Sequence, residues 1–366
     1  MRFRIRREEL LRPLQVVAGV IERRQTQPIL ANALLEVGPE SLTLFATDLE
    51  VSITVAVTLQ EAEPGTATVP ARKFLEIIRA LPEQASVDAA LEGGRLRVRS
   101  ANSRFFLSTL PVEDFPRADS PDITVELAMP QRELRRVLER TQFAMAQQDV
   151  RYYLNGLLLE FAGSRVRAVA TDGHRLALCD RDLPSDVGEG GQLIVPRKAV
   201  LEVLRLAQDL DEPVTLRMGT HQMEFCFKGL SFVTKLVDGR FPDYERVIPV
   251  GHDKIVVAER EPLRQVLLRT SILSSEQSHT VRLRVESGQM HVSAHNLEQD
   301  EAEEELEVGY EGEDLDIGFN VTYLLDVLSA MTEEQVSLAF SDPGSSCLLR
   351  SPDDETCRYV VMPMRL

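Results

Sequence analysis

The amino-acid sequence repeats itself three times, at a spacing close to one third of its 366 residues. The best-matched segments are 44–50, 168–174 and 292–298, and each ends a stretch of alternating apolar and polar residues. Each contains one short carboxylate or amide side chain, and these residues, Asp48, Asp172 and Asn296, are separated by 124 residues. Such side chains favour turns because they accept hydrogen bonds from the backbone that follows them. The spacing therefore predicts three copies of one folding unit in a single chain.

Two amphipathic helices are predicted in each copy, because apolar residues recur there at i, i+3 and i+4. The helices near the start of the copies are predicted over 8–20, 131–145 and 260–273. Those in the middle are predicted over 69–81, 195–206 and 319–331, with an acidic residue in phase at Glu76, Glu202 and Asp326. A motif that ends in Phe-Pro closes the first two copies, at 110–116 and 236–242.

Between the helices the sequence alternates in the manner of half-buried strands, as in 96–100 and 290–293. We therefore predict an α+β fold of three domains, near 1–124, 125–248 and 249–366, each with two helices and about eight strands. Two helices packed on one face of a sheet would supply each core. The repeat alone also allows three tandem domains strung in a line.

The net charge of −17 argues by itself against a nucleic-acid partner, because such proteins usually carry an excess of Lys and Arg. The distribution of charge points the other way. The segments that hold the six predicted helices carry +10 together, which leaves −27 for the rest of the chain. If the helices share one side of the sheets, their surface would attract phosphates while the acidic sheets repel them. Such a contact would ignore base sequence and permit sliding; alternatively, the helix arginines are simply solvated.

Opposite charges also mark two matching strand regions. The segment 298–307 is densely acidic, whereas its counterpart in the first copy is basic, with Arg95, Arg97, Arg99 and Arg104. Charged side chains commonly protect the edges of sheets. The two edges are predicted to pair head to tail between chains, in a contact that closes into a ring if the rotation allows. Two chains of three domains would place six similar units around a hole.

The remaining composition gives no sign of a metal site, a cofactor or a membrane segment. The apolar runs are too short to span a bilayer, and the N-terminus lacks the apolar core of a signal peptide, so we predict a cytoplasmic protein. In that compartment the cysteines are predicted to be free thiols in the core. Cys347 and Cys357 could face each other across a hairpin, where a disulfide would be unexpected. The four cysteines, which lack C-x-x-C spacing, are Cys179, Cys226, Cys347 and Cys357.

Along its whole length the sequence resembles the beta subunit of bacterial DNA polymerase III, the sliding-clamp family. The segments that carry the resemblance are 28–30, 47–50, 69–74, 148–156, 170–176, 235–244 and 359–366. The resemblance implies three DNA-clamp domains in a closed head-to-tail homodimer, with helices lining the inner face and sheets outside. It implies a non-catalytic processivity factor that encircles duplex DNA, is opened by an ATP-driven clamp loader, and binds the polymerase III catalytic subunit, other polymerases and repair proteins through short peptides.

The resemblance also implies three sets of site residues. The peptide cleft, between the second and third domains, would use Leu154, Thr171, Gly173, His174, Arg175, Leu176, Pro242, Arg246, Val247, Ser346, Val360, Val361, Met362, Pro363, Met364, Arg365 and Leu366. DNA contacts are expected from Arg24, Arg72, Gln148, Tyr152, Tyr153, Arg197 and Lys198. The contact between chains is expected to use Lys73, Arg104, Phe105, Ile272, Leu273, Glu301, Glu303 and Glu304.

The residue types suit these roles. Leu, Val, Pro and Met make an adaptable apolar pocket, and Arg175, Arg246 and the terminal carboxylate are expected to orient polar groups of the peptide. Pro343-Gly344 departs from the family, in which a larger apolar residue often lines the cleft.

Two other function classes were considered. An enzyme is suggested by His174 beside Asp172 and Arg175, but neither a nucleophile with a spaced base nor an H-E-x-x-H or G-x-x-x-x-G-K-[ST] motif accompanies them. His174 is therefore interpreted as a cleft or packing residue. A clamp-like scaffold that binds proteins without DNA is the second alternative, and the basic helices argue against it.

Overall fold

A computed structural model describes residues 1–22, 27–117, 122–188, 190–251, 253–275, 279–342 and 344–365. The α-helices are α1 (Arg7–Val20), α2 (Ala71–Ala80), α3 (Gln131–Thr141), α4 (Arg197–Leu206), α5 (Arg260–Ser271) and α6 (Val321–Ala330). The strands are β1 (Arg2–Arg6), β2 (Asn32–Val37), β3 (Ser41–Thr47), β4 (Val51–Thr58), β5 (Glu61–Glu63), β6 (Gly65–Pro70), β7 (Ser86–Glu92), β8 (Arg95–Ser100), β9 (Ser103–Ser108), β10 (Ile123–Pro130), β11 (Gly156–Ala162), β12 (Arg165–Thr171), β13 (Arg175–Asp182), β14 (Gln192–Pro196), β15 (Pro213–Gly219), β16 (Gln222–Phe227), β17 (Leu230–Lys235), β18 (Lys254–Glu259), β19 (Thr280–Glu286), β20 (Gln289–His295), β21 (Glu301–Glu307), β22 (Leu315–Asn320), β23 (Gln335–Phe340), β24 (Cys347–Arg350) and β25 (Cys357–Val361). Within these residues, no helix combines the length and apolar content needed to cross a bilayer.

The chain divides into two compact units, each with one five- or four-stranded sheet and one eight-stranded sheet, all antiparallel. Unit 1 holds 1–132 and 201–236, and unit 2 holds 133–200 and 237–366. In unit 1 the strand orders are β5-β1-β7-β8-β9 and β10-β15-β16-β17-β4-β3-β2-β6. In unit 2 they are β14-β11-β12-β13-β25-β24-β23-β18 and β21-β20-β19-β22.

The two eight-stranded sheets are copies of each other, and each joins two successive repeats. In unit 1 the joint is the pairing of β4 with β17, and in unit 2 it is the pairing of β13 with β25. The strands β4 and β13 begin 124 residues apart, at Val51 and Arg175. The repeat read from the sequence is therefore confirmed at the level of strand pairing.

The turn that precedes each of these strands is built by the repeated acidic or amide residue. The Asp48 carboxylate accepts the backbone N–H groups of Glu50 and Val51 at 2.9 and 2.8 Å. Asp172 accepts those of His174 and Arg175 in the same way, and the Asn296 amide oxygen accepts those of Glu298 and Asp300. The prediction that each of these residues forms a turn is confirmed, and the third turn is one residue longer than the other two.

The six predicted helices are present, with small differences at their ends. The helix predicted over 131–145 ends at Thr141 and continues as a 3₁₀ turn over Gln142–Ala144. The helix predicted over 260–273 ends at Ser271. Both ends carry a threonine whose hydroxyl donates to the carbonyl four residues earlier, Thr141 to Val137 and Thr270 to Val266. Such side-chain bonds compete with the helical pattern and favour its termination.

Arginines at the start of one helix satisfy carbonyl groups at the end of another. Arg7 at the start of α1 donates to the carbonyls of Ile78 and Arg79 in α2. Arg260 at the start of α5 donates to those of Leu328 and Glu333 at and beyond the end of α6. The last carbonyls of a helix lack partners within it, so a cation there is favourable. These bonds fix α1 against α2 and α5 against α6.

The alternation read in the strands matches their burial. In β8 the side chains of Leu96 and Val98 are buried, and the arginines between them point to the other face. In β20 Met290 and Val292 are buried in the same manner. The helices lie on the buried face, where α1 packs on β3 and β4 and α5 packs on β20 and β21.

The prediction that all four cysteines are free is wrong. Cys179 in β13 and Cys357 in β25 lie directly opposite each other, with their Cα atoms 4.1 Å apart, and form a disulfide. Cys347 instead lies opposite Val361 and is a buried free thiol. The two bonded cysteines are separated by 178 residues, and only the register of β13 against β25 brings them together.

A buried ion pair ties α3 to the segment after α6. The Arg140 guanidinium is almost fully buried and donates to both oxygens of the Glu333 carboxylate, at 3.0 and 2.8 Å, and to the Thr332 hydroxyl. Removing one member of a buried pair leaves the other charge without compensation, which costs far more than loss of a surface pair.

Replacing Glu333→Ala is expected to lower the free energy of unfolding by about 3 kcal/mol, because the Arg140 charge stays buried without its carboxylate. Urea titration followed by circular dichroism measures the change. The neighbouring Glu334 is exposed, so Glu334→Ala serves as the control and is expected to cost less than about 0.5 kcal/mol. Equal effects of the two substitutions would contradict this account of the pair.

Candidate functional site

An apolar cluster in unit 2 lies where β13 meets β25. Leu176 from β13 and Val360 from β25 are both members, and both were predicted cleft residues. Tyr153, Val237 and Ile248 flank the cluster and are only partly buried. The other buried members are Leu158, Val169, Leu178, Ile194, Phe241, Tyr244, Ala339 and Leu348. An apolar floor with partly buried margins is the usual form of a ligand-binding cleft.

The turn over 171–175 carries four of the predicted cleft residues and leads into β13, which contributes Leu176 to the cluster. The Thr171 hydroxyl donates to the Arg175 carbonyl at 2.7 Å and accepts the Gly173 N–H at 3.1 Å. Gly173 has a φ of +89°, and a Cβ there would approach the Arg151 guanidinium to 3.1 Å. Glycine adopts this conformation without strain, whereas the equivalent residue of the first repeat, Leu49, adopts a φ of +79° with a side chain present.

Arg175 lies beneath the turn, where its side chain is only 11% exposed. Its guanidinium donates to Asp172 at 3.1 Å, to the Phe143 carbonyl at 2.8 Å, and to Asp326 in α6. It also lies over the ring of Tyr323, 4.6 Å from the centroid. Because its donors are used within the protein, we infer that Arg175 fixes the turn rather than reaching into the cleft.

His174 projects from the same turn and is exposed. Its ring stacks on Tyr323 at 6.3 Å, and its carbonyl accepts the N–H of Met362 at 3.0 Å. The Met362 side chain is itself 44% exposed. Thus the histidine holds the segment after β25 beside the turn, which agrees with its interpretation as a cleft or packing residue.

A polar network holds Tyr244, a member of the apolar cluster. Arg167 donates to both oxygens of the Asp180 carboxylate, at 2.6 and 3.0 Å, and to the Tyr244 hydroxyl at 3.2 Å. That hydroxyl donates to Glu160 at 2.6 Å, and burial raises the pKa of Tyr244 to about 12. The network was missed in the sequence, although charged residues inside the apolar strands β12 and β13 are a signal for it.

Tyr244 begins the 3₁₀ turn Tyr244–Val247, which carries two predicted cleft residues. Arg246 is 84% exposed and pairs with Asp243, and Val247 is exposed as well. Unlike Arg175, Arg246 is exposed, so a ligand can reach its guanidinium.

The remaining predicted cleft residues lie on several elements of unit 2. Ser346 precedes β24, Val361 ends β25, and Leu154 is buried in the 3₁₀ turn Tyr152–Asn155. Beyond β25 the Met364 N–H donates to the Gly318 carbonyl. Pro242, Pro363 and Arg365 belong to the described chain, whereas Leu366 and Pro343 lie outside it.

The predicted DNA-contacting residues are placed differently from one another. Arg72 is exposed at the start of α2 and donates to the Ile21 carbonyl. Arg197 is partly buried, with no hydrogen-bond partner for its Nη1 among the described residues, and burial, followed by the nearby Arg175 charge, lowers its pKa. Gln148 and Tyr152 are exposed, Tyr153 packs on the cleft cluster, and Lys198 lies in α4. Arg24 lies outside the described residues.

Two further cations were missed among the DNA-contact candidates. Arg12 in α1 and Arg79 in α2 are exposed on the helix pair of unit 1, as are Arg72 and Lys73. Among the residues described, none of these four side chains forms an ion pair. Arg12 and Arg79 both lie in the predicted helices and contribute to their positive charge. The sequence does not show which of the helix arginines form ion pairs.

The residues predicted to join two chains lie on two strands at sheet edges and at the end of one helix, except Lys73, which is exposed in α2. Arg104 and Phe105 belong to β9, the edge of the five-stranded sheet, and Glu301, Glu303 and Glu304 belong to β21, the edge of the four-stranded sheet. Arg269 donates to Glu304 and lowers the pKa of that carboxyl. At the end of α5, Ile272 is 77% exposed and Leu273 is partly buried.

No group of three or more metal-binding side chains occurs in the described part of the chain.

Family models match all three repeats. The N-terminal domain of the DNA polymerase III beta subunit matches 1–119, the central domain matches 128–243, and the C-terminal domain matches 245–365. The chain belongs to the DNA polymerase III beta subunit family. Its three repeats are thus DNA-clamp domains of mixed helix and sheet, while the boundaries near 124 and 248 stay predictions.

Relatives in the family match over the full length. The beta sliding clamp of Pseudomonas putida is 52% identical and that of Escherichia coli is 48% identical, with the whole of each chain covered. Among solved structures, a sliding clamp of Pseudomonas aeruginosa bound to griselimycin is 50% identical, with a TM-score of 0.98 and complete coverage of both chains. The beta sliding clamp of Caulobacter crescentus is 38% identical, with a TM-score of 0.96 over 100% of this chain and 99% of that one.

Replacing Arg175→Ala is expected to destabilise the fold by about 2–4 kcal/mol, because Asp172 and Asp326 lose a shared cation at a largely buried position. Thermal and urea unfolding measure the effect. Arg246→Ala is the matched control, since that exposed arginine contributes less than about 0.5 kcal/mol. A stable Arg175→Ala protein with weakened ligand binding would instead make Arg175 a contact residue.

Proposed function

We propose that the chain is a sliding clamp: a non-catalytic, homodimeric ring that encircles duplex DNA and holds polymerases and repair proteins on it. The observation that carries the ring is the strand pairing between repeats. Three successive repeats form two internal joints, β4–β17 and β13–β25. The strands equivalent to β17 and β4 in the first and third repeats are β9 and β21. Each of them lies at the edge of its sheet in the described structure and is paired on one side only.

The register of the missing joint follows from the two existing ones. In β8, Val98 lies opposite Phe105 of β9, as Phe225 in β16 lies opposite Phe232 of β17. Phe105 is therefore the counterpart of Phe232, which pairs with Ile53 of β4. On the other edge, the Asn296 turn makes Asp300 the counterpart of Val51, and hence Ala302 the counterpart of Ile53.

Transferred to two chains, this register places Phe105 opposite Ala302 and Arg104 opposite Glu303. Phe105 and Ala302 form an apolar pair on the face of the sheet that the helices cover. Arg104 and Glu303 have opposite charges and lie directly across the joint from each other. Cross-strand pairs of both kinds are favourable. The exposed Ile272 at the end of α5 adds apolar surface to the same end of the chain, so the proposed contact has an apolar centre and a charged rim.

The proposed DNA contact rests on the helices. The cations Arg12, Arg72 and Arg79 project from α1 and α2 without acidic partners among the described residues. Contacts of Arg and Lys with phosphates do not read base sequence, and few of them are needed when the ring itself prevents dissociation. Gln148 and Tyr152 would add polar and aromatic support.

The proposed partners bind at the cleft of unit 2. Its apolar floor of Leu176 and Val360 and its exposed Met362 and Val247 suit short apolar peptides of several partners. We propose that the polymerase III catalytic subunit, other polymerases, repair proteins and an ATP-driven clamp loader share this cleft. The cytoplasmic location stays a prediction.

Arg104→Glu or Glu303→Arg alone is expected to convert the dimer into monomers, because like charges then oppose each other at the joint. Sedimentation velocity at micromolar protein measures the mass. Combining both substitutions exchanges the two charges and is expected to restore the dimer. Glu40→Arg, on an exposed turn residue, is the control for a change of net charge.

The apolar centre of the joint is tested separately. Ile272→Ala with Leu273→Ala is expected to give monomers that remain folded by circular dichroism, because the joint loses its buried side chains. An intact dimer in this variant, or a charge-exchanged double variant that stays monomeric, would contradict the proposed register.

Topological linkage is tested by cutting the DNA. Loaded by a clamp loader with ATP onto nicked circular DNA, the labelled protein is expected to co-elute with the DNA in gel filtration, and to be released when a restriction enzyme linearises the circle. Binding that survives linearisation would indicate an ordinary DNA-binding protein. If the nicked circle does not retain the protein, the alternative of a clamp-like scaffold that binds proteins without DNA would be favoured.

A further inference from the structure

A second cleft lies in unit 1, beside the other joint between repeats. The cavity has a volume of about 130 Å³ and lies where β4 meets β17. Its lining includes Leu49, Val233 and Pro116 as apolar residues and Gln222 and Lys235 as polar ones. A cavity of about 150 Å³ can enclose a group the size of benzene, so this one has room for a single aliphatic side chain.

The backbone around this cavity reproduces that of the cleft in unit 2. The Thr47 hydroxyl donates to the Val51 carbonyl at 2.8 Å and accepts the Leu49 N–H at 3.0 Å, as Thr171 does with Arg175 and Gly173. The Lys235 N–H donates to the Glu50 carbonyl at 2.9 Å, as Met362 does to His174. The two sites therefore share one hydrogen-bond pattern.

The strand registers extend the correspondence to side chains. Thr234 lies opposite Val51 and Val361 lies opposite Arg175, so Val233 corresponds to Val360 and Lys235 to Met362. Across the next strand, Met223 lies opposite Thr234 and Cys347 opposite Val361, so Gln222 corresponds to Ser346. Nine of the ten residues that line the cavity have a counterpart among the predicted peptide-cleft residues, which makes coincidence an inadequate explanation.

The chemistry of the two sites differs at these equivalent positions. Where unit 2 has Leu176 and Met362, unit 1 has Ser52 and Lys235. The Lys235 ammonium is exposed and makes no ion pair with any described residue, and Arg117 adds a second cation at the margin, bonded to Glu36 at 2.7 Å. Among the described residues, only Glu50 contributes a negative charge to the lining. The site suits a more polar and acidic ligand than the apolar cleft does.

An unpartnered group also points to a ligand. The side-chain oxygen of Gln222 is buried and has no hydrogen-bond partner in the described structure. A buried acceptor without a donor is costly, and the backbone N–H of an extended peptide is the donor that a cleft beside two strands would meet.

We infer that the unit 1 cleft is a second docking site for an extended peptide segment of a partner protein, with one aliphatic side chain followed by carboxylates. The aliphatic group fills the cavity between Leu49, Pro116 and Val233. A carboxylate meets Lys235, and a peptide N–H meets Gln222. The inference goes beyond the proposed function and rests on it only for the idea that partners bind as peptides. A chain with both sites would hold two segments at once, of different composition.

The test uses the full-length protein and two fluorescein-labelled peptides in polarisation titrations. The acidic probe is Gly-Ser-Leu-Asp-Asp-Ser-Gly, and the apolar probe, for the unit 2 cleft, is Gly-Ser-Leu-Leu-Phe-Gly. The acidic probe is expected to bind saturably, about tenfold more weakly to Lys235→Met and several-fold more weakly to Gln222→Leu. Lys228→Met, an exposed lysine on the turn between β16 and β17, is the charge-matched control and is expected to change binding less than twofold. An acidic probe with Ala in place of Leu is expected to lose most of its affinity.

Each result has a definite reading. Equal weakening by Lys235→Met and Lys228→Met would show a general charge effect and overturn the second site. Binding of the apolar probe without binding of the acidic probe would also overturn it, while leaving the proposed function intact. Failure of both probes would count against the proposed function as well. Unfolding midpoints of the variants within a degree or two of the parent exclude loss of fold as the cause.

Discussion

Backbone pairing between successive repeats is the constraint on which the rest of the structure depends. In each eight-stranded sheet the strand contributed by one repeat is completed by the last strand of the next, β4 by β17 and β13 by β25. A chain of three repeats contains two such strand pairings. The strands β9 and β21 then keep rows of unpaired N–H and C=O groups, which is the surface that proteins must cover or pair. In the proposed ring both of these edges are paired. The ring needs only the kind of strand pairing that is already present at the two internal joints.

The same turn beside each joint gives surfaces of different chemistry. The Asp48 and Asp172 carboxylates accept equivalent backbone N–H groups at 2.8 and 3.0 Å, so the main chain is fixed independently of the side chains that it presents. Gly173 has no side chain in one turn, whereas the side chain of Leu49 at the equivalent position of the other turn lines the unit 1 cavity. Because the same backbone turn recurs with different side chains, each copy can acquire its own binding specificity. That specificity depends on the residues and not on the fold.

Much of the architecture could be predicted from the sequence because it rests on local periodicity. The repeat, the six helices and the alternating strands depend on neighbours within a few residues. The missed features join positions far apart: Cys179 to Cys357, Arg140 to Glu333, and Arg167 to Asp180 and Tyr244. No short-range pattern gives the register that brings these groups together. The cleft shows the same division, since its residues came from the resemblance, while the buried environment of Arg175 required the packing of α6 beneath the turn.

Charge shows how far composition can mislead when ion pairs are ignored. The helix-bearing segments carry +10 in the sequence, but part of that charge is balanced by acids outside those segments, as in the pairs of Arg132 with Asp211, Arg136 with Asp354 and Arg269 with Glu304. Surface pairs of this kind add little stability, but they reduce the field that a phosphate would meet. Among the described residues, the cations that form no ion pair are concentrated on α1 and α2. A sparse set of cations gives a weak, salt-sensitive attraction to DNA, and a weak attraction is what motion along a duplex requires once encirclement, rather than affinity, prevents escape.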